Sequence, residues 1–137
     1  MIKSNPLTLS VATSTDTVVI DNDTVSEFRY GYSNKNLYVD NLFIINSDTG
    51  SATASVKLWL RTTTIDRFDK VTHTPNDSGE ESTTSVDVQL LYNASIPTGT
   101  ALRVDERMLK DVDFIKQHLY INTSTGTVDV IVNFKRN

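Results

Sequence analysis

The strongest constraint on the fold of this chain is a repeated alternation of apolar and polar side chains. It is clearest in residues 54–61, ASVKLWLR, where apolar side chains at even positions alternate with polar or aromatic ones at odd positions. Successive side chains of a β-strand point to opposite faces, so a period of two predicts a strand with one face in a core. The same beat returns in residues 86–92 and 128–134, which predicts a protein built from antiparallel sheet.

Shorter strands are predicted between and before these segments. They are LTLSVAT and TVVI near the N-terminus, LYVDNLFII at 37–45, a strand through Leu102 and Val104, and FIKQHLYI at 114–121. Together they make about eight strands with almost no helix. We therefore expect an all-β protein, an antiparallel β-sandwich with jelly-roll or immunoglobulin-like connectivity. Its predicted interior consists of Val56, Leu58, Leu60, Val88, Leu90, Leu102, Leu119, Ile121, Val130 and Val132.

Turn-forming residues predict how several strands are connected. NSDTGS, at 46–51, would close a hairpin between LYVDNLFII and the strand through Trp59. IPTG, at 96–99, favours a tight reversal, because proline presets a negative φ and glycine accepts a positive one. The sheet is thus expected to contain hairpins of consecutive strands.

Two segments depart from the strand pattern. DERMLKDVD, at 105–113, predicts a short helical turn that Asp105 caps and that tucks Met108 and Leu109 inward. Residues 22–35 are polar and irregular apart from a few aromatic side chains, and they are expected to form a loop.

A long polar segment, Thr62–Ser85, is predicted to be a surface loop. Connections of this length in a compact domain are commonly binding loops or disordered excursions. Trp59 precedes it on the polar face of a strand, where either the loop or another chain would cover the ring. The candidate protein-contact residues are Trp59, Ile65, Phe68, Val71, Tyr30 and Tyr32.

Length and charge limit the domain organisation and the partners. The 137 residues fit one domain, 1–137, with residues 1–6 as an N-terminal arm. The net charge is −4, and lysine and arginine are scattered along the chain, so we expect no nucleic-acid partner. No run approaches the roughly 20 apolar residues of a membrane helix, so we expect no membrane partner.

No pattern of catalytic or metal-ligating residues is found. The chain has no cysteine and two histidines, His73 and His118, without the spacing of a zinc motif. The acidic residues Asp77, Glu80 and Glu81 match no calcium-binding loop. Serine-nucleophile and phosphate-loop motifs are also missing from the sequence. We therefore predict no catalytic residue, no metal and no cofactor, and we expect that the chain is not an enzyme.

Two long stretches resemble a known class of proteins. LFIINSDTGSATASVKLWL and LLYNASIPTGTALRVDERMLKDVDFIKQHLYINTSTGTVDVIVNF are similar to small all-β virion proteins of tailed bacteriophages, which serve as head decoration, neck or tail accessory subunits. The likeness covers residues 37–134 and consists of short strands rich in threonine and serine, compact turns and a terminal strand. It transfers no functional residue.

The resemblance implies a structural component of the virion, assembled in the host cytoplasm. Its partners would be other virion proteins, namely capsid, neck or tail subunits, and the chain would form a homo-oligomer within the assembly. The alternative is a receptor- or glycan-binding tail adhesin. In that case Tyr30, Tyr32 and Tyr38 would offer aromatic faces to a sugar ring.

Overall fold

Eight strands account for most of the chain that the structure describes. The computed structural model describes residues 5–28, 37–66 and 82–135. Its helices, a seven-residue α-helix and one 3₁₀ turn, are far too short to cross a bilayer within the described ranges. The elements are β1 (Leu7–Val11), β2 (Thr17–Ile20), α1 (Asn22–Phe28), β3 (Val39–Asn46), β4 (Ala54–Asp66), β5 (Ser82–Ile96), β6 (Ala101–Asp105), the 3₁₀ turn (Glu106–Met108), β7 (Gln117–Thr123) and β8 (Val128–Phe134).

The strands form two four-stranded antiparallel sheets, which confirms the predicted all-β sandwich. Sheet A has the order β1-β8-β3-β6 and sheet B the order β2-β7-β4-β5. The pairs β1–β8, β2–β7, β3–β6 and β4–β5 are nested, as in a long hairpin folded back on itself and rolled up. This is the connectivity of an eight-stranded jelly roll. It differs from an immunoglobulin-like sandwich, in which consecutive strands often pair within one sheet.

The predicted hairpin between the third and fourth strands is therefore wrong. β3 pairs with β6 and β8 in sheet A, whereas β4 pairs with β5 and β7 in sheet B. Residues 46–51 belong to the connection that carries the chain from one sheet to the other. The turn at 96–99 is placed correctly, with Gly99 at φ +75° and the Thr100 amide donating to the Pro97 carbonyl at 3.2 Å, but it also joins the two sheets.

The hydrophobic core lies between the sheets and follows the alternation of the sequence. Most of the predicted interior is buried, whereas Leu90 and Leu102 are half-buried and Val88 is exposed. Each fully buried valine, leucine or isoleucine contributes about 1.5–3 kcal/mol relative to an exposed one. The predicted interior residues that are buried are Val56, Leu58, Leu60, Leu119, Ile121, Val130 and Val132.

One helix forms where a loop was predicted. Asp21 and Thr24 cap α1 reciprocally: the Thr24 amide donates to Asp21 Oδ1 at 3.0 Å, and the Asp21 amide donates to Thr24 Oγ1 at 3.2 Å. Val25 and Phe28 are buried, and the Phe28 ring lies 5.1 Å from that of Phe134 on β8. The helix thus covers one part of the sandwich. Its seven residues are too few for a helical period to be recognised in the sequence.

The segment 105–113, predicted to form a short helical turn, is only partly as predicted. Asp105 does cap the 3₁₀ turn, because its Oδ1 accepts from the Arg107 amide at 2.7 Å. Leu109 is buried, but Met108 is 40% exposed and does not tuck inward. Further on, β7 begins at Gln117 instead of residue 114, and Phe114 is fully buried in the preceding turn.

The predicted long loop is shorter than the sequence suggested. β4 continues to Asp66 and β5 starts at Ser82, so both ends of the segment Thr62–Ser85 are strand. The regular pairing Thr62↔Val86 to Asp66↔Ser82 shows that these residues belong to a strand ladder, in which Thr63, Thr64 and residues 83–85 are exposed. Residues 67–81 lie outside the described residues.

Asn46 ties two of the connections between the sheets together. Its Nδ2 donates to the carbonyls of Ala52 and Ile96, each at 2.9 Å, and its Oδ1 accepts from the Asp48 amide at 3.0 Å. The side chain is buried, so these carbonyls have little access to water. Asn46 therefore satisfies backbone groups that would otherwise be buried without a partner.

Replacing Asn46 is expected to destabilise the fold strongly. Asn46→Ala leaves buried acceptors unpaired and should lower the free energy of unfolding by about 2–3 kcal/mol. Urea denaturation, followed by the fluorescence of the single tryptophan, measures the loss. Asn122→Ala is the matched control, because the hydrogen bond of Asn122 to Asp16 is exposed, and should change stability by less than about 0.5 kcal/mol. Equal effects of the two variants would contradict the role given to Asn46.

Candidate docking surface

β5 is the long edge strand of the sandwich. It has 15 residues and ends sheet B, next to β4. The other three edge strands, β1, β2 and β6, have five, four and five residues. Very short edge strands are one way in which proteins protect the unpaired backbone groups of a sheet edge. β5 lacks that protection.

The far end of β5 forms a ribbon with β4. The pairing of β4 with β7 stops at Thr62↔Gln117, whereas its pairing with β5 continues to Asp66↔Ser82. Beyond Thr62, residues 63–66 and 82–85 are therefore paired with each other and with no further strand of sheet B. We call this part of the molecule the β4–β5 ribbon.

A run of seven exposed residues follows along β5. Residues 83–89, TTSVDVQ, which we call the β5 edge segment, are all exposed. Val86 is 58% and Val88 is 52% exposed, although their partners on β4 are Thr62 and the buried Leu60. Isolated valines on a surface are ordinary, but two on one face of an open strand edge create a ready site for strand addition.

The exposure of Val88 corrects the predicted interior. Cross-strand partners share a face of the sheet, so Val86 and Val88 do point to the side of Leu60, as the alternation predicted. An edge strand has a neighbour on one flank alone, however, and at these positions the inner side stays open to solvent. The period of two predicted the direction of these side chains correctly and their burial wrongly.

Two irregularities end the β5 edge segment. The pairing of β4 with β5 shifts between Leu58 and Trp59 and again between Val56 and Leu58, and Asn93 has φ +53°. The first shift leaves Leu90 as an extra residue, so Leu91 rather than Leu90 lies opposite the buried Leu58. Such bulges increase the twist of a strand and interrupt its ladder. The regular part of β5 is thus residues 82–89.

The only charged side chain of the β5 edge segment is held by an ion pair. Arg61 on β4 donates from Nε to Asp87 Oδ1 at 2.8 Å and from its terminal nitrogen to Oδ2 at 3.1 Å. Hydrogen bonding to Arg61 lowers the pKa of Asp87, and the same bond raises that of Arg61. Asp87 is therefore neutralised within its own chain and does not guard the edge by charge.

Trp59 lies on the outer face of sheet B, the face that also carries Arg61 and Asp87, and it is buried within the single chain. Its ring stacks on Tyr120 of β7, with centroids 5.7 Å apart and planes at 13°. The Arg61 guanidinium lies 4.5 Å from the Tyr120 centroid and 6.0 Å from that of Trp59. Trp59 is only 4% exposed, and its Nε1 has no hydrogen-bond partner among the described residues. Its role in binding a partner stays a prediction.

The remaining candidate contact residues are not brought together by the described structure. Ile65 belongs to the β4–β5 ribbon by its backbone. Phe68, Val71, Tyr30 and Tyr32 lie outside the described residues, as do His73 and the acidic residues of 77–81. Within the described ranges, no group of three acidic or histidine residues could hold a metal ion. Sequence reasoning placed Val88 in the core, and no local signal marked Val86 or Val88 as surface.

Comparisons with models of protein families, with curated proteins and with solved structures found no match for this chain.

The pair of Arg61 and Asp87 predicts a small, pH-dependent stabilisation. The pKa of Asp87 is lowered in the folded state, so its contribution is present above the ordinary carboxyl pKa and is lost as the pH falls. Asp87→Asn should cost less than about 1 kcal/mol at pH 7, because the pair is exposed. The difference from the wild type should shrink towards zero as the pH falls through the lowered pKa of Asp87, and also in about 1 M salt. Thermal unfolding across pH measures it; a difference that persists in acid would contradict the assignment.

Proposed function

We propose that this chain is a structural component of a tailed-bacteriophage virion, a multi-copy head decoration or neck or tail accessory protein. It stabilises the particle by docking to other virion proteins. The observation that carries the proposal is the β5 edge segment, seven exposed residues with two exposed valines on a long strand edge whose one charged side chain, Asp87, is ion-paired to Arg61. The type of particle is taken from the sequence resemblance over residues 37–134.

Strand addition at this edge would contribute a modest favourable free energy to assembly. Val86 and Val88 are already about half covered, so burying the rest contributes about 1–1.5 kcal/mol each, and each new backbone hydrogen bond adds about 0.5–1.5 kcal/mol. Association also costs entropy, so a single contact of this size is modest. In a symmetric particle, however, every subunit repeats the contact, and linked weak contacts give a stable assembly.

The rest of the molecule is compatible with a structural role. Jelly rolls occur in viral capsid proteins, although the fold is also used by lectins and enzymes and does not by itself fix a function. Among the described residues, a hydrogen bond to Asp87 raises the pKa of Arg61 and lowers that of Asp87, and a hydrogen bond to Glu106 raises the pKa of Lys135. Both pairs are exposed to solvent. A docking role of this kind requires no catalytic step and no cofactor.

A glycan-binding role is the second candidate, and the outer face of sheet B favours it. Tyr92 is 68% exposed, and the Lys57 ammonium lies 5.1 Å from its ring centroid. Lys57 is opposite Asn122, whose amide donates to Asp16 at 2.7 Å. An open aromatic ring beside amide, carboxylate and ammonium groups is suited to the apolar and hydroxyl surfaces of a sugar. Glycan-array binding that is lost in Tyr92→Ala would favour this role.

A virion subunit must be present in purified particles in many copies. We expect peptide mass spectrometry of density-gradient-purified phage to detect the chain at an abundance comparable with the major structural proteins. Particles that carry the Val86→Asp variant should retain less of it, because a charge on the docking edge opposes strand addition. Thr15→Asp, at an exposed position before β2, is the matched control. Only trace amounts in purified particles would refute the virion role.

A further inference from the structure

We propose that the β5 edge segment pairs with the β5 edge segment of a second copy of this chain, antiparallel and across a two-fold axis at Val86. The inference rests on the docking role proposed for β5 and names its immediate partner. Two identical strands can adopt only certain registers, and each register places particular side chains opposite one another.

Symmetry permits few registers. Cross-strand partners in an antiparallel pair point to the same face of the sheet, so two identical strands related by a two-fold axis must have one residue opposite its own copy. The regular segment 83–89 offers its central residue, Val86, as that position. An axis at Asp87 would place two carboxylates opposite each other. An axis at Val88 would bring the irregularity at Leu90 into the ladder.

The register centred on Val86 uses the whole β5 edge segment. On the side shared with Leu60, Val86 faces its own copy and Val88 faces Thr84 of the second copy. The two Val86 and two Val88 side chains then form one apolar cluster around the axis. Pairs of β-branched side chains are among the favourable cross-strand pairs of antiparallel sheets.

The opposite face of the same register is polar throughout. Asp87 faces Ser85 of the second copy, and Gln89 faces Thr83 of the second copy. No like charges are opposed, and Asp87 keeps its bidentate partner Arg61 within its own chain. A hydroxyl donor opposite a carboxylate is a hydrogen-bonding pair, so this face also matches its own copy.

The resulting dimer closes the edge of both chains. Sheet B of each copy contributes four strands to one continuous antiparallel sheet of eight. A two-fold contact uses the same patch on both partners and leaves none of it free for a third chain. The dimer thus satisfies the exposed backbone of 83–89 without forming an open fibre.

Single-cysteine variants test both the contact and its register, because the natural chain contains no cysteine. Directly opposed residues have Cα atoms about 4.5–5.5 Å apart, within the range of a disulfide. We expect Val86→Cys alone to form a disulfide-linked dimer under mild oxidation. Thr84→Cys alone and Val88→Cys alone should not, because each would be about 14 Å from its own copy in this register. A mixture of these two variants should cross-link one to the other.

Sedimentation equilibrium of the cysteine-free chain supplies the second measurement. We expect a mass twice that of the 15.3 kDa chain at micromolar concentration and at least a tenfold weaker association for Val86→Asp. Val86 is exposed, so Val86→Asp and Val86→Cys should both leave the monomer folded. The fluorescence of the buried Trp59 checks that each variant is folded. A monomeric wild type, or no cross-link through Val86→Cys, would overturn the dimer. Preferred cross-linking of Val88→Cys alone would overturn the register.

The outcomes separate this inference from the virion role. A chain that cross-links through Val86→Cys but is missing from purified particles refutes the virion role and leaves the dimer established. A chain abundant in particles whose Val86→Cys variant stays unlinked, both free and on the particle, refutes the dimer. In that case the edge is occupied by a strand of a different virion protein.

Discussion

The nested pairing of strands that are remote in sequence is the constraint on which the structure depends. β8, at the C-terminal end of the described chain, lies between β1 and β3, with Leu7 opposite Val132 and Leu42 opposite the same residue from the other side. The pairing of β1 with β8 and of β2 with β7 fixes the two sheets. Among the described strands, β4 and β5 are the one pair that is both consecutive in sequence and hydrogen-bonded in a sheet. That pair can lengthen without disturbing the others, which is why it forms the β4–β5 ribbon and leaves β5 at an edge.

The sequence predicted side-chain burial correctly where a strand with alternating apolar residues has neighbouring strands on both sides. Residues 56–60 of β4, residues 119–123 of β7 and residues 128–132 of β8 have neighbours on both sides. The inward side chains there are buried, and a period of two predicts the core directly. β5 shows the same period, yet Val86 and Val88 are exposed because enclosure depends on strand order, which no local pattern encodes. The hairpin predicted between β3 and β4 failed for the same reason: turn residues mark where the chain bends, and they are equally suited to a bridge between sheets. Helix α1, with seven residues, is too short for its period to stand out.

The candidate site was less predictable than the fold. Trp59 was singled out because an aromatic ring on a polar face needs a cover, and the structure supplies Tyr120 and Arg61 from within the chain. Arg61 then connects this stack to Asp87 on β5, at the level where β7 begins. Three strands are thereby cross-braced at the base of the β4–β5 ribbon. A braced ribbon loses less conformational entropy on pairing than a free one, so its edge is preorganised for a partner.

The length of β5 carries a cost that the other edges avoid. β1, β2 and β6 are short enough to discourage strand addition, and the irregularities at Leu90 and Asn93 interrupt the C-terminal half of β5. Among the described edge strands, residues 83–89 remain as a regular, exposed segment whose one charged side chain, Asp87, is ion-paired. If this segment had no defined partner, it would favour open-ended association, because unpaired strand edges add further strands indiscriminately. The proposed two-fold contact at Val86 would remove that hazard, since pairing would consume the exposed segment of both chains. The same limit would make the proposed dimer a discrete unit whose outer sheet faces remain open to further contacts.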